Sequence, residues 1–150
     1  MKTRIIVDID GTLSKVGERL KYLQQEPKDW DSFYADCFDD EPIEEVCNLV
    51  KDLYENLNDI VFCTGRRESC KDATKKWLHK HLGFKVATGS LLLMRKNDDH
   101  RHDTEVKPEL LTNVGIELNS IAFVLEDRNS MVKKWRELGL ICLQVAEGDF

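Results

Sequence analysis

Ile5-Ile6-Val7-Asp8-Ile9-Asp10-Gly11-Thr12 is an apolar run that stops abruptly in two carboxylates, a glycine and a threonine. A short β-branched run closed by a turn glycine predicts a buried strand, here over residues 3 to 8. Such a strand delivers its acids to one edge of a sheet, where open α/β folds bind their ligands. Period-two alternation turns Asp8 and Asp10 to the same side. Paired carboxylates at a strand tip suit a divalent metal and acid/base chemistry. A lone D-x-D-G-T also fits a capped strand end, so the decision rests on what the rest of the chain adds.

Working outward, residues 13 to 40 are polar and aromatic without a clear period. A stretch of that length predicts a flap or small insertion rather than a simple loop. Asp39-Asp40-Glu41-Pro42 predicts a helix start, with acids at the positive end and proline in the first turn. Asp59-Ile60-Val61-Phe62-Cys63 predicts a second strand, ending in Thr64-Gly65-Arg66-Arg67. Helical spacing follows over 70 to 82, an apolar run over 91 to 94, and a short helix from Glu105 to Val114. Ile121 to Leu125 predicts another buried strand, ending in Glu126-Asp127-Arg128, and after one more helix Leu140 to Val145 predicts the last. Strands alternating with helices imply a mostly parallel α/β sheet with helices on both faces. Residues 1–150 read as a single domain with 13–40 as its flap, and no phosphate-binding G-x-x-x-x-G-K-[ST] motif of a kinase domain occurs among them.

The chain has 150 residues, 33% of them charged, and a net charge of -6. That balance argues against a protein that coats duplex nucleic acid without regard to sequence, which is usually basic. The five cysteines are an odd number without a C-x-x-C pair, which predicts free thiols in a reducing compartment. No apolar run reaches membrane-spanning length, and Met1-Lys2-Thr3-Arg4 leads directly into the first strand. The expectation is a cytoplasmic protein with no membrane association. Histidines 79, 81, 100 and 102 form two clusters that read as surface residues.

Three strands end in polar clusters, Asp8/Asp10, Thr64/Arg66 and Glu126/Asp127, which a parallel sheet brings to one edge. Together with Lys107 they resemble, in order, the four motifs of the haloacid dehalogenase (HAD) superfamily of phosphotransferases. The resemblance implies a HAD-like Rossmannoid fold with a minimal cap. It also implies that Asp8 is a nucleophile forming an aspartyl-phosphate, and that Asp10 serves as general acid and then base. It gives Thr64 a hydrogen bond to a phosphoryl oxygen and Lys107 the neutralisation of charge. Mg²⁺ would be held by Asp8, the main-chain carbonyl of Asp10 and Asp127, with Glu126 near or assisting. Glu126 stands where the family usually has aspartate, which puts its direct ligation in question.

The chain is also similar to the 3′-phosphatase domain of phage-type polynucleotide kinase–phosphatases. That likeness extends to Arg19, to Thr64-Gly65-Arg66, and to the R-x-x-x-D-x-R-x-D-x-x-x-K spacing from Arg95 to Lys107. It continues in Glu126-Asp127-Arg128 and the terminal Gln144-Val145-Ala146-Glu147-Gly148-Asp149-Phe150. It implies a Mg²⁺-dependent polynucleotide 3′-phosphatase acting on DNA or RNA ends. Arg19 and Arg66 would grip phosphate, and Asp103 would orient one of these arginines or Lys107. Lacking a kinase motif, such a chain would work alone or beside a separate kinase or ligase. A small-molecule phosphomonoesterase and a non-catalytic binding module on the same scaffold are the competing readings.

Overall fold

The computed structural model describes residues 3–150. Its centre is one parallel sheet of five strands: β1 (Arg4–Val7), β2 (Asp59–Arg67), β3 (Leu91–Arg95), β4 (Ile121–Arg128) and β5 (Cys142–Gly148). The strand order is β3-β2-β1-β4-β5. The chain builds outward from β1 through β2 to β3, then returns to lay β4 on the other side of β1. The D-x-D-G-T turn therefore leaves the central strand beside the point where the winding reverses, which is where such sheets open a crevice.

Alternation along β1 explains how both faces are covered. Ile5, Val7 and Ile9 pack with Val50 of α2 (Glu44–Glu55) and with Trp77 and Leu78 of α3 (Lys71–Leu82). Ile6 faces the other way, against Leu111 of α5 (Asp103–Asn113) and Met131, Val132 and Trp135 of α6 (Asn129–Glu137). Burying each large apolar side chain contributes roughly 1.5–3 kcal/mol, so this two-sided register is strongly specified. The remaining helices are short, α1 (Trp30–Ala35) and α4 (Phe84–Gly89).

Residues 13–40 form an ordered flap: a 3-10 turn (Gly17–Tyr22), α1, and a second 3-10 turn (Asp36–Asp39). A third apolar cluster, including Val16, Phe33, Tyr34 and Cys37, docks it on Cys70 and Met94 of the body. The aromatic cluster of the flap is thus largely packing. All five cysteines are free and buried, and among the described residues no helix is long and apolar enough to cross a membrane.

Several boundaries differ from the sequence expectation. The helix expected from residue 39 starts at Glu44, because Pro42 is held in an isolated bridge to Ser14 and Asp40 is drawn inward by Arg19. Strands β2 and β4 run on through their polar residues to Arg67 and Arg128. Both carry register shifts there, between Thr64 and Arg67 and between Glu126 and Arg128, irregularities of the kind that re-aim side chains beside a site. Helix α5 begins two residues early, at Asp103, because the His102 ring caps the main-chain N–H of Thr104.

Candidate active site

Asp8 leaves the end of β1 buried at the middle of the sheet edge. Its Oδ1 accepts from Lys107 Nζ at 2.7 Å and its Oδ2 accepts from Thr12 Oγ1 at 2.9 Å. Lys107, on the first turns of α5, also donates to Glu126 Oε2 at 2.8 Å. The Thr12 hydroxyl lies 3.2 Å from Asp127 Oδ1 as well, so the turn threonine is shared between two acids. Asp8, Glu126 and Asp127 each offer an oxygen within 4.8 Å of the others.

Three buried carboxylates face one buried ammonium. The imbalance shows in their protonation. Burial, then Asp8 and Glu126, push the Asp127 carboxyl up to about 9. Burial and Asp8 push Glu126 up to about 7 against the pull of Lys107. Burial works against the charge on Lys107, but Asp8 and Glu126 outweigh it and hold the ammonium well above its ordinary value. All-oxygen donors with a deficit of positive charge fit a hard divalent cation. Within the trio Glu126 is the most committed: Oε2 takes Lys107, and Oε1 accepts the main-chain N–H groups of Asp127 (3.2 Å) and Arg128 (3.4 Å).

Asp10 shares the edge but belongs to a different network. Arg66 donates Nε to its Oδ2 at 3.0 Å and Nη2 to its Oδ1 at 2.7 Å, and Arg19 Nη2 donates to Oδ1 at 2.6 Å. Burial opposes ionisation here, but Arg66 and then Arg19 outweigh it and hold the carboxyl well below the usual range. Arg66 spends its remaining nitrogen on Thr74 Oγ1 at 3.1 Å. Arg19 binds Asp40 through Nε (2.8 Å) and Nη2 (2.5 Å), binds the Phe33 carbonyl through Nη1 (2.6 Å), and lies over the Phe33 ring. Both guanidinium groups are thus spent on Asp10 and its surroundings, where the sequence reading had them gripping phosphate. The carboxylate of Asp10 stands apart from the trio, which leaves its main-chain carbonyl for any metal.

Asp103 is also placed differently. It pairs with Arg95 and, at 2.9 Å, with Arg128 Nη1, rather than with Arg19, Arg66 or Lys107. Burial raises its carboxyl value, but Lys107, Arg128 and Arg95 outweigh that and hold it low. Thr64 is buried in the cavity wall, and its hydroxyl accepts the Arg66 N–H at 3.2 Å, which leaves its own proton to donate.

Two glycines set how closely Asp127 can approach. Gly11 has φ +84°, and a Cβ there would stand 2.0 Å from Asp127 Oδ2. A Cβ on Gly148 would stand 2.6 Å from the same oxygen. The terminal run therefore belongs to the site: Phe150 offers its carbonyl to Arg128 Nε at 2.5 Å and its ring to the same guanidinium. The cavity that Asp8, Asp10 and Lys107 line is narrow, about 30 Å³, enough for about two waters. Trp30, Phe33 and Tyr34 wall it from the flap side.

Sequence reasoning missed Asp40, Thr74, Arg95 and Arg128 as members of these networks. Arg95 and Arg128 were visible in the quoted spacings but had no role. Asp40 lies in an acidic stretch whose composition points equally well to a helix start, and Thr74 carries no local signal.

The family model for the polynucleotide kinase PNKP phosphatase domain matches residues 2–150. A protein of Autographa californica nuclear polyhedrosis virus, assigned as a bifunctional polynucleotide kinase/RNA ligase, is 31% identical over 136 residues, which is 89% of this chain and 18% of that protein. A chain in the Pnkp1/Rnl/Hen1 complex superposes with a TM-score of 0.81 at 30% identity, over 99% of this chain and 47% of that one. The class C acid phosphatase of Bacillus anthracis, with tungstate bound, shares the fold with a TM-score of 0.62 at 20% identity, over 92% of this chain and 60% of that one. The chain thus spans less than half of the first two relatives.

Proposed function

The chain belongs to the polynucleotide kinase PNKP phosphatase-domain family, a phosphoester hydrolase on the HAD fold, and on that premise we propose that it removes the 3′-phosphate from DNA or RNA ends. The observation that carries the reading is the placement of Asp8. It sits at the sheet centre with one oxygen on Lys107 and the other on Thr12, inside a trio of acids, while Asp10 two residues on is held apart by arginines.

Asp8 attacks phosphorus, displaces the 3′-oxygen and forms an aspartyl-phosphate; water then releases phosphate and restores the carboxylate. Lys107 and the Thr64 hydroxyl stabilise the charge on the transferring group. Asp10 protonates the departing oxygen and takes a proton from the attacking water in the second step. Its arginine fork makes it a strong acid, so the carboxylate left after donation is stabilised. The proton enters with the substrate monoanion, whose second ionisation lies at about pH 6, and passes through Asp10 to the 3′-oxygen; the proton that Asp10 takes from water in the second step leaves with the phosphate or to solvent, which restores the carboxylate. Mg²⁺ is the cation that the trio suits: Asp8, Asp127 and the Asp10 carbonyl would hold it, with Glu126 near or assisting, and it would offset the repulsion between carboxylate and phosphate. The 3′-hydroxyl product is what a ligase requires, and the name of one relative joins polynucleotide kinase to RNA ligase. A kinase or ligase working beside this chain fits that logic.

The test compares release of phosphate from a 3′-phosphorylated oligonucleotide with release from 3′- and 5′-mononucleotides and sugar phosphates, in Mg²⁺ and in EDTA. The expected result is a Mg²⁺-dependent preference for the oligonucleotide. Equal turnover of sugar phosphates would give the site to small phosphomonoesters instead.

A further inference from the structure

A second cavity of about 340 Å³ adjoins the catalytic one, large enough for a small organic ligand. Asp103 and Arg128 line both, and so do Trp30 and Tyr34. The two cavities carry opposite charge. Around the catalytic cavity five carboxylates stand against three cations. Around the second, four arginines (Arg67, Arg95, Arg101 and Arg128) stand against two carboxylates, Asp99 and Asp103. The first therefore favours a metal cation; in the second, Arg67 is held by exposed Asp31 and Arg101 by Asp99 and half-exposed Glu109, so an anion there takes the place of surface carboxylates.

Arg67 follows Arg66 directly but turns away from Asp10. It pairs with Asp31 of the flap, its Nη2 lies 3.3 Å from His100 Nδ1, and its buried Nε has no hydrogen-bond partner. A buried guanidinium N–H without an acceptor is costly, which favours a shift of the Arg67 side chain toward an anion that enters the cavity it lines. Asp31 is 85% exposed, so its hold on Arg67 competes with solvent and is readily exchanged. The half-buried Trp30 ring stacks on Tyr34 at 5.9 Å and 26°, a flat aromatic wall of the kind that receives a base. Adjoining cavities with a common wall match consecutive phosphates on one strand.

We infer that the second cavity holds the phosphodiester immediately upstream of the 3′-terminal phosphate, with the terminal base against Trp30. The inference rests on the 3′-phosphatase reading and extends it to the strand. Arg67 and Arg101 are strand-binding residues, and the phosphodiester they take is common to DNA and RNA.

The experiment measures binding of a fluorescein-labelled single strand ending in a 3′-hydroxyl, in DNA and RNA arms, against salt concentration. It uses the wild type, Arg67→Gln and Arg101→Gln; Arg101 has a half-exposed side chain, so its variant folds even if the first does not. Losing one phosphate contact lowers the slope of log K against log salt by about 0.7 and weakens binding roughly tenfold at low salt. The ratio of kcat/KM for the 3′-phosphorylated oligonucleotide over the 3′-mononucleotide falls by a similar factor. Unchanged slopes and ratios in both variants and both arms overturn the subsite. Failure of the wild type to prefer a 3′-phosphorylated oligonucleotide overturns the phosphatase reading instead, and the two failures are read from separate measurements.

Discussion

Arg66 grips both oxygens of Asp10, Nε to Oδ2 at 3.0 Å and Nη2 to Oδ1 at 2.7 Å, from a position with no solvent exposure. A fork of this kind fixes orientation as well as charge, and lysine cannot reproduce it. Arg66→Lys is therefore expected to fold and to lower kcat by on the order of 10²-fold or more. Arg66→Gln leaves Asp10 with Arg19 alone and costs about 3 kcal/mol of stability in urea at pH 7. Asp10 is held below its unfolded value, so the pair's contribution is complete above about pH 4 and fades as pH falls further. The deficit of Arg66→Gln should narrow at low pH. An equal deficit at pH 3 and pH 7 would count against the pairing.

Against the cost of burial, Arg66 and Arg19 favour the ionised form of Asp10, so the first step should draw its proton from the substrate. We expect kcat/KM to decline above about pH 6, tracking the second ionisation of the substrate phosphate. Substrates whose terminal phosphate has a lower second ionisation, such as a 3′-phosphorothioate, should shift the profile downward by the same interval. A profile that ignores the substrate's ionisation would return the limb to an enzyme group.

Removing the nucleophile should be close to absolute. Asp8→Asn is expected to cost on the order of 10⁴-fold in kcat while the protein still binds oligonucleotide. Mg²⁺-dependent phosphate release at the wild-type rate by this variant would refute the role of Asp8.

Crowding of Asp8, Glu126 and Asp127 makes the metal-free protein sensitive to pH. Asp127 has its folded-state value raised to about 9. The stability that its proton confers is complete below the unfolded value and is lost as pH rises through 9. Mg²⁺ at about 100 times its Kd adds about 2.7 kcal/mol, or on the order of 5–10 °C in Tm for a chain of this length. The rise should be larger at pH 8.5 than at pH 6. Asp127→Asn should abolish the Mg²⁺ response and melt higher than the metal-free wild type at pH 8.5, which calorimetry can read.

Gly11 and Gly148 separate two effects at one oxygen. Gly11→Ala adds left-handed strain, about 1–2 kcal/mol, to a clash with Asp127, and should lose both stability and activity. Gly148→Ala meets only the clash, so its main effect should be a higher Mg²⁺ requirement. Titration of activity with Mg²⁺ distinguishes them.

The sheet and its active edge were legible because Ile5 to Thr12, Asp59 to Arg67 and Ile121 to Arg128 each combine a buried β-branched run with polar residues at its end. Local pattern and global topology agree there. The flap was not legible: its order comes from the docking of Phe33, Tyr34 and Cys37 on distant Cys70 and Met94, which leaves no period in the chain. The same holds for the partners of Arg19, Arg66 and Asp103. Residue type predicts that an arginine will meet an anion, but choosing between phosphate, Asp10 and Asp40 takes three-dimensional placement.

Asp103, pinned between Arg95 and Arg128 on the wall common to both cavities, has an evolutionary consequence. Arg67 and Arg101 line the second cavity only, so if that cavity takes the strand, drift at either retunes affinity without touching the chemistry. Asp103 has no such freedom. Any replacement changes two traits together, and a lineage exploring new substrates would have to vary the rim while this carboxylate stayed fixed.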